Sequence, residues 1–250
     1  MYNIIADLHT HTTLSLHAYS TVNENICGAV EHGMKYLAST DHYFRYGEDD
    51  STLRFNESQG ILSIRRISRT DNRIKFIAGV EYNTCQDDGI PKKTLVLPWR
   101  ISSCHDIFTK DKTIDDIKNH LTYLIENKLI TTVGHPDKFL HNKFNGDDYK
   151  EFYQWLIKIC KENNIYIELN NASCKYEDCK KYILYWLSLA KENNVMISLG
   201  SDAHYFLEVG DFGPTIKILE EAEFPEELIL NCDEEKLEEL FKKQLEIQGV

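Results

Sequence analysis

The N-terminal stretch Tyr2-Asn3-Ile4-Ile5-Ala6-Asp7-Leu8-His9-Thr10-His11 decides the fold, because an apolar run of strand length ends abruptly in a carboxylate and two histidines. The same pattern recurs down the chain. Tyr36–Ser39 reads as a strand running into Thr40-Asp41-His42, and Ile74–Val80 as one running into Glu81. Thr94–Leu97 reads as a short strand before Pro98, with Cys104-His105 in the loop beyond it. Ile130–Val133 leads into Gly134-His135-Pro136. Ile165–Leu169 leads into Asn170-Asn171 and carries Glu168, and Val195–Leu199 leads into Gly200-Ser201-Asp202-Ala203-His204. Helical patterns alternate with these runs: Val22–His32 closed by Gly33, Glu57–Ser68, Ile114–Asn127 capped by Asp111 or Thr113, Tyr149–Asn163, Cys179–Asn193, Pro214–Ala222 and Glu234–Glu246. Two of the helices end on the same triplet, Glu162-Asn163-Asn164 and Glu192-Asn193-Asn194. Strand–helix alternation of this kind implies a mainly parallel α/β sheet or barrel.

The 250 residues suit one large α/β domain spanning 1–250, and 42% hydrophobic residues supply its core. No Pro/Gly/Ser-rich linker divides the chain. A net charge of −12, from 28 basic and 40 acidic residues, disfavours nucleic acid as a partner, since a phosphate backbone rewards clustered Lys and Arg. It leaves room for a small anionic substrate at a site whose field is set by bound cations. The N-terminus lacks a basic region followed by an apolar one, and no stretch approaches about 18 uninterrupted apolar residues, so neither a signal peptide nor a membrane partner is expected. Seven cysteines without a CxxC pair read as reduced thiols in a cytoplasmic protein, mostly packed as small hydrophobes, with Cys104 set apart because it precedes His105. Oligomeric state is not legible.

The strand ends carry the chemistry. In a parallel barrel all strand C-termini open on one face, so residues nearly two hundred positions apart converge there. His9 and His11 are two apart, and on an extended segment such residues project to one side and can reach one ion. Asp202 and His204 repeat the spacing. Imidazoles with a few carboxylates suit zinc, manganese or iron. At most three of the ten histidines, His32, His120 and His141, lie away from strand ends, and the first two fall inside helical patterns. Asp7 and Asp41 are candidates to orient the imidazoles beside them, or else are strand-end or cap carboxylates. Lys138, Arg45, Arg54 and Arg100 are the cations expected in loops on this face, with Lys138 and Arg45 the choices for gripping substrate. Tyr19, Tyr43 and Phe44 flank the histidines and are candidate pocket walls.

The motifs Asp7–Thr12 (DLHTHT), Ser39–His42 (STDH), Gly79–Asn83 (GVEYN), Gly134–Asp137 (GHPD) and Gly200–His204 (GSDAH) resemble, in order and spacing, those of the PHP (polymerase and histidinol phosphatase) superfamily. His17–Thr21, Ile167–Asn171 and the tail Gly210–Asn231 resemble its small single-domain phosphatase branch, so the likeness covers essentially the whole chain. The resemblance implies a distorted (β/α)7, TIM-like barrel with three divalent metal ions at the C-terminal ends of its strands. It assigns His9, His11, Glu81 and Asp202 to one metal. A second takes His105 and His135 and shares Glu81 as a bridge. A third takes His17, His42 and His204. The segment Leu95–Phe108 (LVLPWRISSCHDIF) departs from the apolar strand and Gly-rich turn of the family, and His105 is carried over because no other histidine lies between His42 and His120.

The expected activity is hydrolysis of a small phosphomonoester by a metal-activated water, with the cations neutralising charge on the phosphate oxygens. No GxSxG elbow, CxxxxxR phosphatase loop or P-loop offers a side-chain nucleophile or phosphate cradle instead. A phosphodiesterase or exonuclease of the same fold is the alternative, which the acidic charge opposes. A regulatory module with structural metal is opposed by nine ligands in open loops, since structural zinc sites are four-coordinate and closed. Water activated against a carbon centre, as in a deacetylase or an amidohydrolase-like enzyme, is the remaining enzymatic alternative.

Overall fold

The computed structural model describes residues 2–15, 17–43, 66–67, 69–86, 90, 92–138 and 140–247. Its strands are β1 (Ala6–Asp7), β2 (Tyr36–Ser39), β3 (His42–Tyr43), β4 (Lys75–Asn83), β5 (Trp99–Ser103), β6 (Thr132–Gly134), β7 (Tyr166–Asn170) and β8 (Ile197–Gly200). All are parallel, in the order β1-β2-β4-β5-β6-β7-β8. β2 pairs with Lys75–Ala78 of β4 and β3 with Glu81–Tyr82, so the two form one stave interrupted at Thr40-Asp41. Eight strands therefore make seven staves, the distorted TIM-like barrel that the resemblance implied.

The seam between β8 and β1 closes by backbone bonds. Leu8 N donates to Leu199 O at 3.3 Å, Asp202 N to His9 O at 2.9 Å and His11 N to Ala203 O at 2.9 Å. Lower down, the fully buried Asn231 stands in for the missing ladder. Its Nδ2 donates to Ala6 O (2.8 Å) and Leu199 O (2.9 Å), and its Oδ1 accepts from Leu199 N (2.6 Å).

Successive strand residues face opposite sides. Tyr36, Ala38, Ile77, Trp99 and Ile101 fill the barrel, which Leu230 and Leu237 plug from below. Their neighbours Leu37, Phe76 and Ala78 join the outer layer under the helices. Those helices are α1 (Val22–Glu31), α2 (Asp106–Thr109), α3 (Ile114–Glu126), α4 (Asp148–Asn163), α5 (Glu177–Asn193), α6 (Gly213–Glu221) and α7 (Glu234–Ile247). Thr21 with Glu24, and Thr113 with Asp116, form capping boxes at α1 and α3. Gly33, past the end of α1, has φ +75° as a C′ glycine requires. No helix among the described residues is long and apolar enough to cross a membrane.

The fourth stave corrects the sequence reading. Lys92–Val96 is a 3-10 turn, and the strand follows Pro98 as Trp99–Ser103. A proline has no N–H to donate to a ladder. The small Ser102 and Ser103 suit a crowded site: a Cβ added to the neighbouring Gly134 would lie 2.1 Å from Ser103 Oγ. The expected helix Glu57–Ser68 falls almost entirely outside the described residues.

Candidate metal centre

Each strand delivers its polar residues to the same mouth. Glu81 is the hub, since β4 continues past Val80 and carries it fully buried into the centre. Its Oε2 lies 2.8 Å from His42 Nδ1 and 3.5 Å from Nε2 of both His9 and His11. Its Oε1 faces the other way, 3.2 Å from His135 Nε2 and 3.6 Å from His105 Nε2. Asp202 Oδ1 stands 3.2 Å from His11 Nε2 and 3.8 Å from His9 Nε2. The His17 and His204 rings stack at 4.5 Å, and His17 lies 5.1 Å from the His42 ring, extending the cluster outward.

Two backbone features aim these side chains. Asp202 has φ +57° and His135 φ +23°, conformations that non-glycine residues rarely adopt and that collect at functional sites. At Gly200, a Cβ would lie 2.3 Å from both Glu168 Oε1 and His9 Cβ, so only glycine lets that acid and that imidazole meet.

Glu168 is the residue whose role the sequence did not reveal. Its Oε1 lies 2.6 Å from His9 Nδ1, while Oε2 accepts from His135 N (2.9 Å) and Asn170 Nδ2 (3.2 Å). One carboxylate thus fixes a ring on one side of the cluster and the backbone on the other. Neither of the two acids expected to orient imidazoles has a direct bond to a ring: Asp7 holds backbone amides, and Asp41 reaches the His11 ring through Ser15. Asp7 accepts from the amides of His9 (3.3 Å), Ser201 (3.0 Å) and Gly210 (2.9 Å). Asp41 accepts from Thr12 N (2.7 Å) and from Ser15 Oγ (2.8 Å), and that hydroxyl lies 3.2 Å from His11 Nδ1.

The residues present fit divalent cations. His9 Nε2 and His11 Nε2 stand 3.0 Å apart. Two imidazole nitrogens each about 2.0–2.1 Å from one ion, at roughly a right angle, stand about 3 Å apart. The described side chains supply His9–His11–Asp202, His11–His42–His204 and His42–Glu81–His105 as three overlapping groups able to hold an ion. Several of the shifts suit ligation, which needs ionised acids and neutral imidazoles. Burial alone would raise the Glu81 carboxyl, but His42, His9 and His105 outweigh it and hold it well below the usual range. Asp202 is held down likewise, against burial, by Lys138 and the imidazoles of His11 and His9. Burial, reinforced by neighbouring imidazoles, lowers His17 to about 4 and His105 to about 3. His9 is the exception: burial lowers it, and Glu168 and Glu81 carry it well above the ordinary value.

Of the loop cations, Lys138 reaches the cluster, its Nζ 3.0 Å from Asp202 Oδ2. Arg100 does not. It sits near the start of β5, at the opposite end of the barrel, where its guanidinium donates to the carbonyls of Leu97 (2.5 Å), Leu129 (2.8 Å) and Lys128 (3.2 Å). Arg45, Arg54 and Phe44 lie outside the described residues. Tyr43 is buried, its ring 6.3 Å from that of Tyr82, and Tyr19 is exposed. Cys104 is buried, which pushes its thiol up to about 12 and leaves it a packing residue. His141 lies apart from the cluster, its Nδ1 3.4 Å from Asp137 O.

The PHP domain model matches residues 7–172. The chain belongs to the PHP-domain family. It is 31% identical over 251 residues to a protein of Acetivibrio thermocellus named as a probable phosphatase, covering 97% of each chain. A second such protein, from Clostridium acetobutylicum, is 29% identical and covers 95% of this chain and 94% of its own. Both agree with the enzyme class expected from the sequence, a phosphatase. Among solved structures, the histidinol phosphate phosphatase (HISK) of Lactococcus lactis subsp. lactis Il1403, complexed with zinc, L-histidinol and phosphate, superposes with a TM-score of 0.65 at 17% identity, covering 89% of this chain and 95% of that one. At that identity the likeness is one of fold.

Proposed function

We propose that the chain is a metal-dependent phosphomonoesterase, in one barrel domain, whose nine side chains His9, His11, His17, His42, Glu81, His105, His135, Asp202 and His204 hold three divalent cations. The observation that carries this reading is Glu81, whose two oxygens each face a separate set of imidazole nitrogens, as a bridging carboxylate must. When bound, divalent cations supply Lewis acidity: they acidify water and neutralise charge developing on phosphate oxygens.

The chain's own residues do the rest. Glu168 holds the His9 ring by its Nδ1, leaving Nε2 turned to the cluster, where it stands 3.0 Å from His11 Nε2. Asp41 steadies His11 through Ser15 Oγ. Lys138 occupies one oxygen of Asp202 and leaves the other facing His11, and its ammonium sits where a substrate phosphate would gain a positive contact. Burial alone would lower Lys138, but Asp202 and Glu81 outweigh it and keep the ammonium charged. None of the seven cysteines forms a disulfide, which supports a reducing cytoplasmic setting.

Protein reconstituted with zinc or manganese is expected to hydrolyse phosphomonoesters, histidinol phosphate among those tried, and to stop when a chelator is added. Turnover of diesters but not monoesters would put a phosphodiesterase in its place. Silence on both would overturn the phosphoesterase reading.

A further inference from the structure

The base of the barrel, at the far end of the strands from the metal cluster, is covered on one side. α7 is tied beneath β2 and β4: Glu238 accepts from Tyr36 Oη at 2.9 Å and pairs with Lys75, and Glu234 accepts from Lys35 Nζ at 2.7 Å. On the side of β5, β6 and β7 the helix leaves a cleft of about 560 Å³, a volume that suits a small organic ligand. None of the nine residues proposed as metal ligands lines it.

The wall of this cleft is amphipathic. Its apolar part includes Leu240 of α7 and the half-buried ring of Tyr166, which stands 5.6 Å from the Trp99 ring, with Leu95 36% exposed at the lip. Its polar part is cationic, although the chain carries 40 acidic residues to 28 basic. Arg100, Lys128, Lys236 and Lys243 line it, and Glu239 is the one acid among the described lining residues. Lys236 is paired with Asp233, whereas Arg100, Lys128 and Lys243 have no carboxylate partner among the described residues.

Arg100 is built into this wall. Its guanidinium donates to the carbonyls of Leu129 (2.8 Å), Leu97 (2.5 Å), Leu95 (3.5 Å) and Lys128 (3.2 Å). Those bonds use four of its five N–H groups, and the fifth, on Nη2, has no acceptor among the described residues. Burial disfavours its charge, a cost that an anion beside it would offset. A guanidinium fixed in advance loses little freedom on meeting an anion. An inorganic anion would leave Tyr166 and Leu240 unused, and a neutral apolar ligand would desolvate three cations without compensation.

The geometry points to a second binding site here, independent of the phosphatase reading: the cleft takes a small organic anion, its oxyanion head among Arg100, Lys128 and Lys243 and its apolar body against Tyr166 and Leu240.

The test is a fluorescence titration of the full chain with 8-anilinonaphthalene-1-sulfonate and with N-phenyl-1-naphthylamine, the same aromatic body without the sulfonate. The sulfonate binds roughly tenfold tighter than the amine, as one charge-assisted contact allows. Its affinity falls about three- to tenfold in Lys128→Glu and in Lys243→Glu, each of which reverses an exposed charge, while that of the neutral amine holds. In Lys180→Glu, on α5 outside the cleft, sulfonate affinity is unchanged. Equal affinity for the two probes overturns the preference for an anion. Sulfonate binding that survives both charge reversals lies elsewhere on the surface and overturns the assignment, as does the absence of sulfonate binding.

Discussion

At the scale of single residues, the proposed centre depends on side chains outside its nine expected ligands. Glu168 touches His9 by one oxygen and the His135 amide by the other, so Glu168→Gln is expected to weaken metal binding about 10–100-fold without unfolding the protein, as read by chelator competition and a thermal melt. Unchanged affinity would reduce Glu168 to a packing residue. Gly200→Ala should be worse, because its Cβ would meet Glu168 and His9 at 2.3 Å, and metal content measured on the purified variant should fall. His9→Ala should lose metal and activity together, whereas His32→Ala, at the end of α1 with its ring 3.1 Å from Gly28 O, should change neither. The nine residues that meet at the mouth were legible as a group because histidines and carboxylates are rare together at strand ends. Glu168 was visible at such an end but not interpretable, since its partner His9 is 159 positions away and only the closed barrel brings them together.

At the scale of elements, the sequence was most informative where local chemistry decides. The repeated Glu-Asn-Asn triplets marked two helix ends, and both final asparagines, Asn164 (φ 55°) and Asn194 (φ 53°), adopt the left-handed cap. Asn194→Gly should therefore be tolerated, while Asn194→Val should cost about 1–2 kcal/mol, since a β-branched residue pays most for that conformation; urea denaturation distinguishes the two. The fourth stave was illegible for the opposite reason. Leu95-Val96-Leu97 has the apolarity of a strand, yet Trp99–Ser103 is the strand, and its polar Ser102 and Ser103 are buried because the barrel is crowded there, not because they are apolar. Periodicity cannot foresee a demand for small volume set by β4 and β6.

At the scale of the whole molecule, the mouth exists only if the barrel closes, and β1 is too short to close it by ladder alone. Asn231 completes the lower seam, so Asn231→Ala, which strips partners from Leu199 N and the buried carbonyls, should destabilise by about 2–4 kcal/mol and loosen metal binding with it. A melting temperature unchanged from the parent would show that the seam holds without it. The alternation of strands and helices made a parallel barrel legible, but that an asparagine near the C-terminus joins the first and last staves was not, because no pattern of residues encodes which edges meet.

The most direct test of the central claim, that Glu81 bridges a metal centre for phosphoester hydrolysis, is metal content and phosphomonoester turnover measured together on the parent and Glu81→Gln after reconstitution with zinc or manganese. The prediction is bound metal with chelator-sensitive turnover in the parent, and loss of both in the variant while its circular dichroism and melting remain those of a folded barrel. A folded Glu81→Gln protein that keeps its metal and its rate would contradict it.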